Sequence, residues 1–171
     1  MKITISGPPG SGKTTVAKIL SERLKIKLIS AGEVFRRLAF EKGMSLEEFS
    51  KHAELNPEID ILVDKVQREM AEKEKDAIIE GRLSGWMIKN AELKVYIFAD
   101  AEVRYSRIAK REGKDLSVVR KETLLREEVE KRRYQKFYGI DIEDWRIYDL
   151  IINSNRMSPE KIAEIIITAL K

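Results

Sequence analysis

The stretch Gly7-Pro8-Pro9-Gly10-Ser11-Gly12-Lys13-Thr14-Thr15 carries the residue types and spacing best able to do chemistry in this chain. It fits Gly-x4-Gly-Lys-Thr, a phosphate-binding loop in which each fixed position has a physical reason. Gly7, Gly10 and Gly12 can take backbone angles closed to other residues, so successive N–H groups can turn inward as an anion-binding nest. Lys13 brings a point charge for the β- and γ-phosphates, the Thr14 hydroxyl is a candidate Mg²⁺ ligand, and Thr15 is expected to help hold a phosphate. Pro8, Pro9 and Ser11 complete the nucleotide-binding set. The loop predicts binding of a nucleoside triphosphate.

Arginine is the second signal: Arg36, Arg82, Arg104, Arg107, Arg111, Arg126, Arg132 and Arg133. Moving a phosphoryl group between two anionic nucleotides needs positive charge along the phosphate chain, and the guanidinium fork suits it. Arg126, Glu130 and Arg133 are spaced i, i+4, i+7 and share a helix face. Glu130 there can orient both arginines or accept ribose hydroxyls. The competing reading of that face is a solvated, salt-bridged surface, the usual meaning of mixed charge on a helix.

The elements that must position these groups follow from periodicity. Lys2-Ile3-Thr4-Ile5-Ser6 reads as a strand that feeds the loop, and the helix after it runs from Lys13 to Leu24, its positive end at the nest. Further strands are expected at Ile26 to Ser30, Asp76 to Glu80, Lys94 to Phe98 and Tyr148 to Ile152. Ser30-Ala31-Gly32-Glu33 and Ser45-Leu46-Glu47-Glu48 both have capping-box spacing. Asn56-Pro57 breaks the second of these helices, and Ile59, Leu62, Val63, Val66 and Met70 form the stripe of the next. Three helical pieces therefore lie between the second and third strands, an insertion over residues 31–75. Asp100 is placed as a cap, Gly113 as a break, and a long charged helix runs from Leu116 to Phe137. Ser158-Pro159 opens the last helix.

Five apolar strands separated by helices predict an α/β fold, a five-stranded parallel sheet with helices on both faces. Ligands of such sheets bind at the carboxyl ends of the strands, where the loop, Ser30, Glu80-Gly81-Arg82, Asp100 and Asn153-Ser154 all fall. The 171 residues suffice for one domain with a real core. With no cysteine, disulfides and thiolate metal sites are excluded. Met1-Lys2 leads directly into a strand, so no secretory signal is expected, and no apolar run approaches the ~20 residues that span a bilayer. A cytoplasmic protein with no membrane partner is expected. The net charge of +4 is local: residues 104–136 hold twelve Lys or Arg against six Asp or Glu. Such a surplus marks either nucleic acid or a polyphosphate site, and the loop favours the second.

With these motifs the chain resembles the nucleoside monophosphate kinases, over nearly its whole length. The signs are the loop itself, Ser30-x-Gly32-Glu33-Val34-Phe35-Arg36, Gly81-Arg82, Arg107-x3-Arg111 and Tyr148-Asp149-Leu150-Ile151-Ile152-Asn153. Within that group it is most similar to the archaeal cytidylate kinases, and Arg126-x3-Glu130-x2-Arg133 resembles the Arg-x3-Asp-x2-Arg of the bacterial ones. The resemblance implies transfer of the γ-phosphoryl of ATP to CMP, and also to dCMP, in pyrimidine nucleotide metabolism, with Mg²⁺ and as a monomer. It implies that Arg36, Arg82 and Arg133 grip the acceptor monophosphate, in a site bordered by Ser30 and Gly32, with Arg126 and Glu130 near the ribose. Arg107 would lie against the adenine beside Asn153 and Ser154, and Arg111 would meet the phosphates from a lid within about 104–136. Glu80 would reach Mg²⁺ through water. One departure stands out: bacterial relatives follow Gly-Arg with an Asp that helps read cytosine, and here Leu83 replaces it. The base must then be read elsewhere, with Asp60, Asp64 and Gln67 the candidates.

Other functions remain as rivals. A kinase acting on AMP or a small metabolite would share the loop and the sheet. A GTPase switch needs Asn-Lys-x-Asp and Asp-x-x-Gly, and neither occurs. An RNA-associated ATPase would use the basic stretch, which offers only Tyr105 and Tyr134 for stacking. His52, Trp86 and Trp145 carry no motif and are expected to be an exposed helix residue and two packing groups.

Overall fold

The computed structural model describes all residues, 1–171. Five strands form one sheet: β1 (Lys2–Ser6), β2 (Lys27–Ser30), β3 (Ala77–Glu80), β4 (Leu93–Phe98) and β5 (Leu150–Asn153). Every pairing is parallel and the order is β2-β3-β1-β4-β5. Because β1 sits in the middle, the loop that leaves it opens where the order reverses, the place such sheets reserve for ligands. The helices are α1 (Lys13–Leu24), α2 (Ala31–Glu41), α3 (Leu46–Leu55), α4 (Pro57–Lys73), α5 (Ser84–Met87), α6 (Ala101–Glu112), α7 (Leu116–Tyr138) and α8 (Pro159–Ala169).

Alternation along the strands sends side chains to two cores. Ile78 joins Ile3, Ile5, Val95 and Ile97 under Val16, Leu20, Ile162 and Ile166 of α1 and α8. Its neighbours Ala77 and Ile79 point the other way, to Ile29, Ala71 and Ile88. Both faces are covered, which is why the strands read as unbroken apolar runs. A third core holds the inserted helices together: Val34, Leu38, Phe49, Ala53, Ile59 and Val63.

The expected elements all form, with small shifts at their ends. β5 starts two residues later than the apolar run suggests, because Asp149 turns its carboxylate back to the Lys94 N–H at 2.8 Å. The Ser45 capping box is complete, with Ser45 Oγ accepting from the Glu48 N–H at 3.1 Å and Glu48 Oε2 accepting from the Ser45 N–H at 3.2 Å. The one at Ser30 does not form. Ser30 is the N-cap of α2, but its hydroxyl is turned to the buried Glu80 carboxylate instead of the helix N–H groups. A carboxylate out of water needs donors more than a helix end needs a cap. Asp100 likewise stands at the N-cap of α6 without a side-chain cap bond. No helix is long and apolar enough to cross a membrane.

Candidate active site

The loop after β1 is shaped from outside by two arginines of α6. Arg104 donates to the carbonyl of Pro9 at 3.1 Å, Arg107 to that of Gly10 at 3.1 Å, and Ser154 Oγ to that of Ser11 at 2.7 Å. In a trans peptide the C=O and N–H point opposite ways, so three outward carbonyls turn three N–H groups inward. The Ser11 N–H closes on Pro8 O at 3.2 Å, and those of Gly10 and Gly12 have no acceptor in the protein. Unpaired donors at a helix N-terminus are what an anion requires. Gly10 is obligatory twice over: its φ is +77°, and a Cβ there would meet the Arg104 backbone oxygen at 2.6 Å.

Lys13 reaches back to Pro8 O at 3.4 Å. Burial pushes its ammonium down to about 8, Arg82 and Arg126 act the same way, and Glu80 and Glu130 oppose them. Phosphate oxygens beside the ammonium would restore its charge.

At the mouth of the loop Glu80, only 4% exposed, accepts from Ser30 Oγ at 2.8 Å and Thr14 Oγ1 at 3.3 Å. A hydroxyl and a carboxylate are hard oxygen donors. Mg²⁺ keeps several waters and takes few protein ligands, so this pair fits it. The backbone carbonyl of Glu80 is fixed from the other side by Gln67 Nε2 at 2.7 Å, which also holds Ile29 O at 3.2 Å. Both N–H groups of Gln67 are therefore spent inside the fold, and only its Oε1 is left for a base. Leu83 is spent too, buried with Tyr134 and Ile142.

Across from the loop, α7 faces α4. Glu130 accepts from Arg126 at 2.9 Å and from Arg82 at 3.0 Å. Burial alone would raise its pKa; the two guanidiniums outweigh this and hold it below the usual carboxylate range. Arg133 does not share Glu130, as the spacing allowed, but pairs with Asp60 of α4. Glu130 is 8% exposed and the Arg133 side chain 11%, while that of Arg126 is 64% exposed, so the face is solvated only at its Arg126 end. One turn along α4, Asp64 Oδ2 accepts from the Tyr138 hydroxyl at 2.9 Å.

Some expected residues do not join the cluster. Arg36 and Gly32 lie exposed in the first turns of α2. Arg111 is at the far end of α6, its side chain 65% exposed and paired with Glu112. Asn153 is exposed and caps the Asn155 N–H at 2.9 Å, while Ser154 is buried against the loop. Arg107 is tied to Ser154 by two bonds, 3.0 Å to Oγ and 2.6 Å to the carbonyl. Trp145 packs on Tyr96 and Phe98 at 4.8 and 5.2 Å between ring centroids, so the packing reading of it holds; His52 is exposed on α3.

Two residues that the sequence reading named have positions it did not foresee. Arg104 is 7% exposed and links Pro9 of the loop to Glu127 of α7, so the loop and α7 share one cation. Its position one turn before Arg107 was the available signal. Gln67 was weighed only as a base reader, although it stands four residues after Val63, on the buried stripe of α4.

Residues 2–156 match the cytidylate kinase-like family. Over 171 residues the chain is 71% identical to the cytidylate kinase of Archaeoglobus fulgidus, covering 100% of this chain and 95% of that relative. The cytidylate kinase of Pyrococcus horikoshii is 51% identical over 98% of this chain and 87% of its own length. Among solved structures, an uncharacterized protein from Eubacterium ventriosum superposes with a TM-score of 0.73 at 22% identity, covering 99% of this chain and 97% of that one. A shikimate kinase from Acinetobacter baumannii gives 0.66 at 17%, covering 99% and 92%, which shows the kinase fold alone. The chain belongs to the cytidylate kinase-like family.

Proposed function

We propose that the chain transfers the γ-phosphoryl group of ATP to CMP and dCMP, giving ADP and the cytidine diphosphates. The observation that carries this reading is the placement of Arg82, Arg126 and Arg133 opposite the donor loop, already oriented by Glu130 and Asp60. The family supports ATP as donor and CMP as acceptor, and dCMP is our extension of it.

In this reading Gly7 to Thr15 cradle the ATP phosphates, with Arg107 and Ser154 setting the loop edge where the adenine lies beside Asn153. The acceptor sits in the slot between α4 and α7, its phosphate on Arg82 and Arg133 and its ribose toward Arg126 and Glu130. Ser30, Gly32 and Arg36 border the slot from α2, within the 31–75 insertion. Thr14 and Glu80 would hold Mg²⁺, directly and through water. When bound, Mg²⁺ neutralises charge on the β- and γ-phosphates. The acceptor phosphate is already an anionic nucleophile, so no side-chain base is required. The protein supplies alignment and positive charge as the transferring group passes in line. Arg111 meets the phosphates when the 104–136 segment closes over them. A cytoplasmic monomer acting on free nucleotides, without nucleic acid, fits this chemistry.

The test is coupled ADP release against AMP, CMP, dCMP, UMP and GMP. Turnover led by CMP and dCMP is expected. Preference for AMP, or no nucleotide acceptor at all, would overturn the assignment.

A further inference from the structure

Where α4 faces α7, the chemistry changes along the two helices. Arg133 and Asp60 meet at one level, and Asp64, one turn of about 5.4 Å further along α4, meets Tyr138. Tyr138 in turn packs against the core of Leu83, Tyr134 and Ile142, which backs the pair from behind. Asp60 is neutralised by the Arg133 guanidinium and Gln67 spends both N–H groups on backbone carbonyls, whereas Asp64 is in no ion pair and has only the neutral Tyr138 hydroxyl as partner. In Asp64 one oxygen accepts from Tyr138, and the other has no hydrogen-bond partner in the protein. A half-buried carboxylate whose one protein partner is a neutral hydroxyl carries a desolvation cost that no ion pair offsets.

We propose that Asp64, held by Tyr138, is the residue that selects the pyrimidine: its free oxygen accepts the exocyclic amino group of cytosine. The proposal rests on the acceptor-slot reading above and adds which base the slot prefers. At this edge cytosine offers an N–H₂ donor where a uracil-type base offers a carbonyl oxygen. A carboxylate oxygen attracts the first and repels the second. The Tyr138 hydroxyl, as donor, fixes the carboxylate in its accepting role, so selection works partly by repulsion of the wrong base.

The charges around Asp64 give the inference a second readout. Asp60 and Arg68 face this end from α4, and Glu130, Arg133 and Tyr138 face it from α7. Burial is the main cause that pushes the Asp64 carboxyl up to about 7, with Asp60 and Glu130 adding and Tyr138 and Arg133 opposing. Above that pH the group only accepts. Below it the protonated form can also donate to a carbonyl, and discrimination weakens. The acceptor phosphate titrates near pH ~6 as well, but equally in CMP and UMP, so the ratio of the two substrates isolates Asp64.

The experiment compares kcat/KM for CMP and UMP, at fixed saturating ATP, in wild type, Asp64→Asn and Tyr138→Phe between pH 6 and 8. The asparagine amide is isosteric and can turn its N–H₂ toward a carbonyl. Asp64→Asn is expected to lower the CMP-to-UMP ratio about tenfold or more, the scale of one charge-assisted hydrogen bond, with KM for ATP unchanged. Tyr138→Phe should lower it several-fold, and the wild-type ratio should rise with pH through about 7 where the Asp64→Asn ratio stays flat. Equal losses for both substrates, or an unchanged ratio, would overturn the assignment. Calorimetric titration of the same proteins with CMP and with UMP reads the selectivity even where UMP turnover is too slow to follow. If Arg133→Ala also leaves all acceptor kinetics unaltered, the slot reading itself has failed; if Arg133→Ala is crippled while Asp64→Asn keeps its ratio, only the base assignment has.

Discussion

The loop after β1 and the charged slot between α4 and α7, proposed for donor and acceptor, are stabilised by opposite means. The loop is held through its own backbone: three consecutive carbonyls are gripped from outside by Arg104, Arg107 and Ser154, and the inward N–H groups of Gly10 and Gly12 stay unpaired. The slot is held through side-chain charge, with Arg82, Arg126 and Arg133 each matched by a carboxylate. A backbone nest recognises a triphosphate chain largely whatever its side chains, because every residue but proline has an N–H. A charge lattice across two helices can be tuned to one acceptor, but each arginine must be shared with its carboxylate when a phosphate arrives.

The largest effect should come from the one charged side chain inside the loop. Lys13→Met keeps the aliphatic stem, so circular dichroism and melting should change little. Turnover should fall by about 10²- to 10³-fold or more, the scale of one lost electrostatic contact to the transition state. Near-normal steady-state rates with ATP would break the assignment of the loop.

On the slot side, Glu130 is the shared counter-ion of two arginines. Removing one partner of a buried pair costs about 3–5 kcal/mol when full burial applies, and Arg126 is too exposed for the whole of it. Glu130→Gln is therefore expected to lose about 2 kcal/mol in urea unfolding, where Lys13→Met loses little. The pH dependence follows from the depressed carboxyl: the stability Glu130 contributes is present above the ordinary glutamate range and is lost as pH falls through its lower folded value. Wild type and Glu130→Gln should converge in acid. A constant gap from pH 7 to 3 would show that the pair is not what stabilises the helix.

Arg133→Ala tests the slot in use. A charge-assisted bond of roughly 1.5 to 3 kcal/mol corresponds to a loss of about ten- to a hundredfold in kcat/KM for CMP, with KM for ATP nearly constant. Combined with Arg82→Ala the effects should be non-additive, because both would share one dianion. Unaltered CMP kinetics would return α7 to the status of a structural helix.

The same contrast explains what was legible in the sequence. The loop is local: nest, lysine and threonine are contiguous, so residue types alone carry the argument. The sheet was legible because burial on both faces leaves unbroken apolar runs. The slot depends on partners far apart in the chain, Asp60 with Arg133 and Arg82 with Glu130, and no spacing rule reaches across 73 or 48 residues. Resemblance supplied Arg82 and Arg133 as phosphate ligands, but not the carboxylates that orient them. The Ser30 cap failed for the same reason, since the buried Glu80 that claims its hydroxyl is 50 residues away.

The smallest expected effect separates the two arginines that shape the loop. Arg107 binds only donor-side groups, Gly10 and Ser154. Arg104 binds Pro9 and also Glu127 on α7, so it belongs to both regions. Lysine keeps the charge at either position but lacks the fork that serves several acceptors at once. Arg107→Lys should raise KM for ATP by a few-fold, about 1 kcal/mol for the hydrogen bonds it cannot replace, and leave KM for CMP where it was. Arg104→Lys should raise both, because slackening its bond to Glu127 loosens the helix that carries Arg126, Glu130 and Arg133. Its reach also makes a second measurement useful: CMP binding with and without a non-hydrolysable ATP analogue. If donor and acceptor sites communicate through this cation, the analogue should tighten CMP binding in wild type and Arg107→Lys but not in Arg104→Lys. Identical KM patterns in the two variants would show that loop and slot are independent, each positioned by its own contacts.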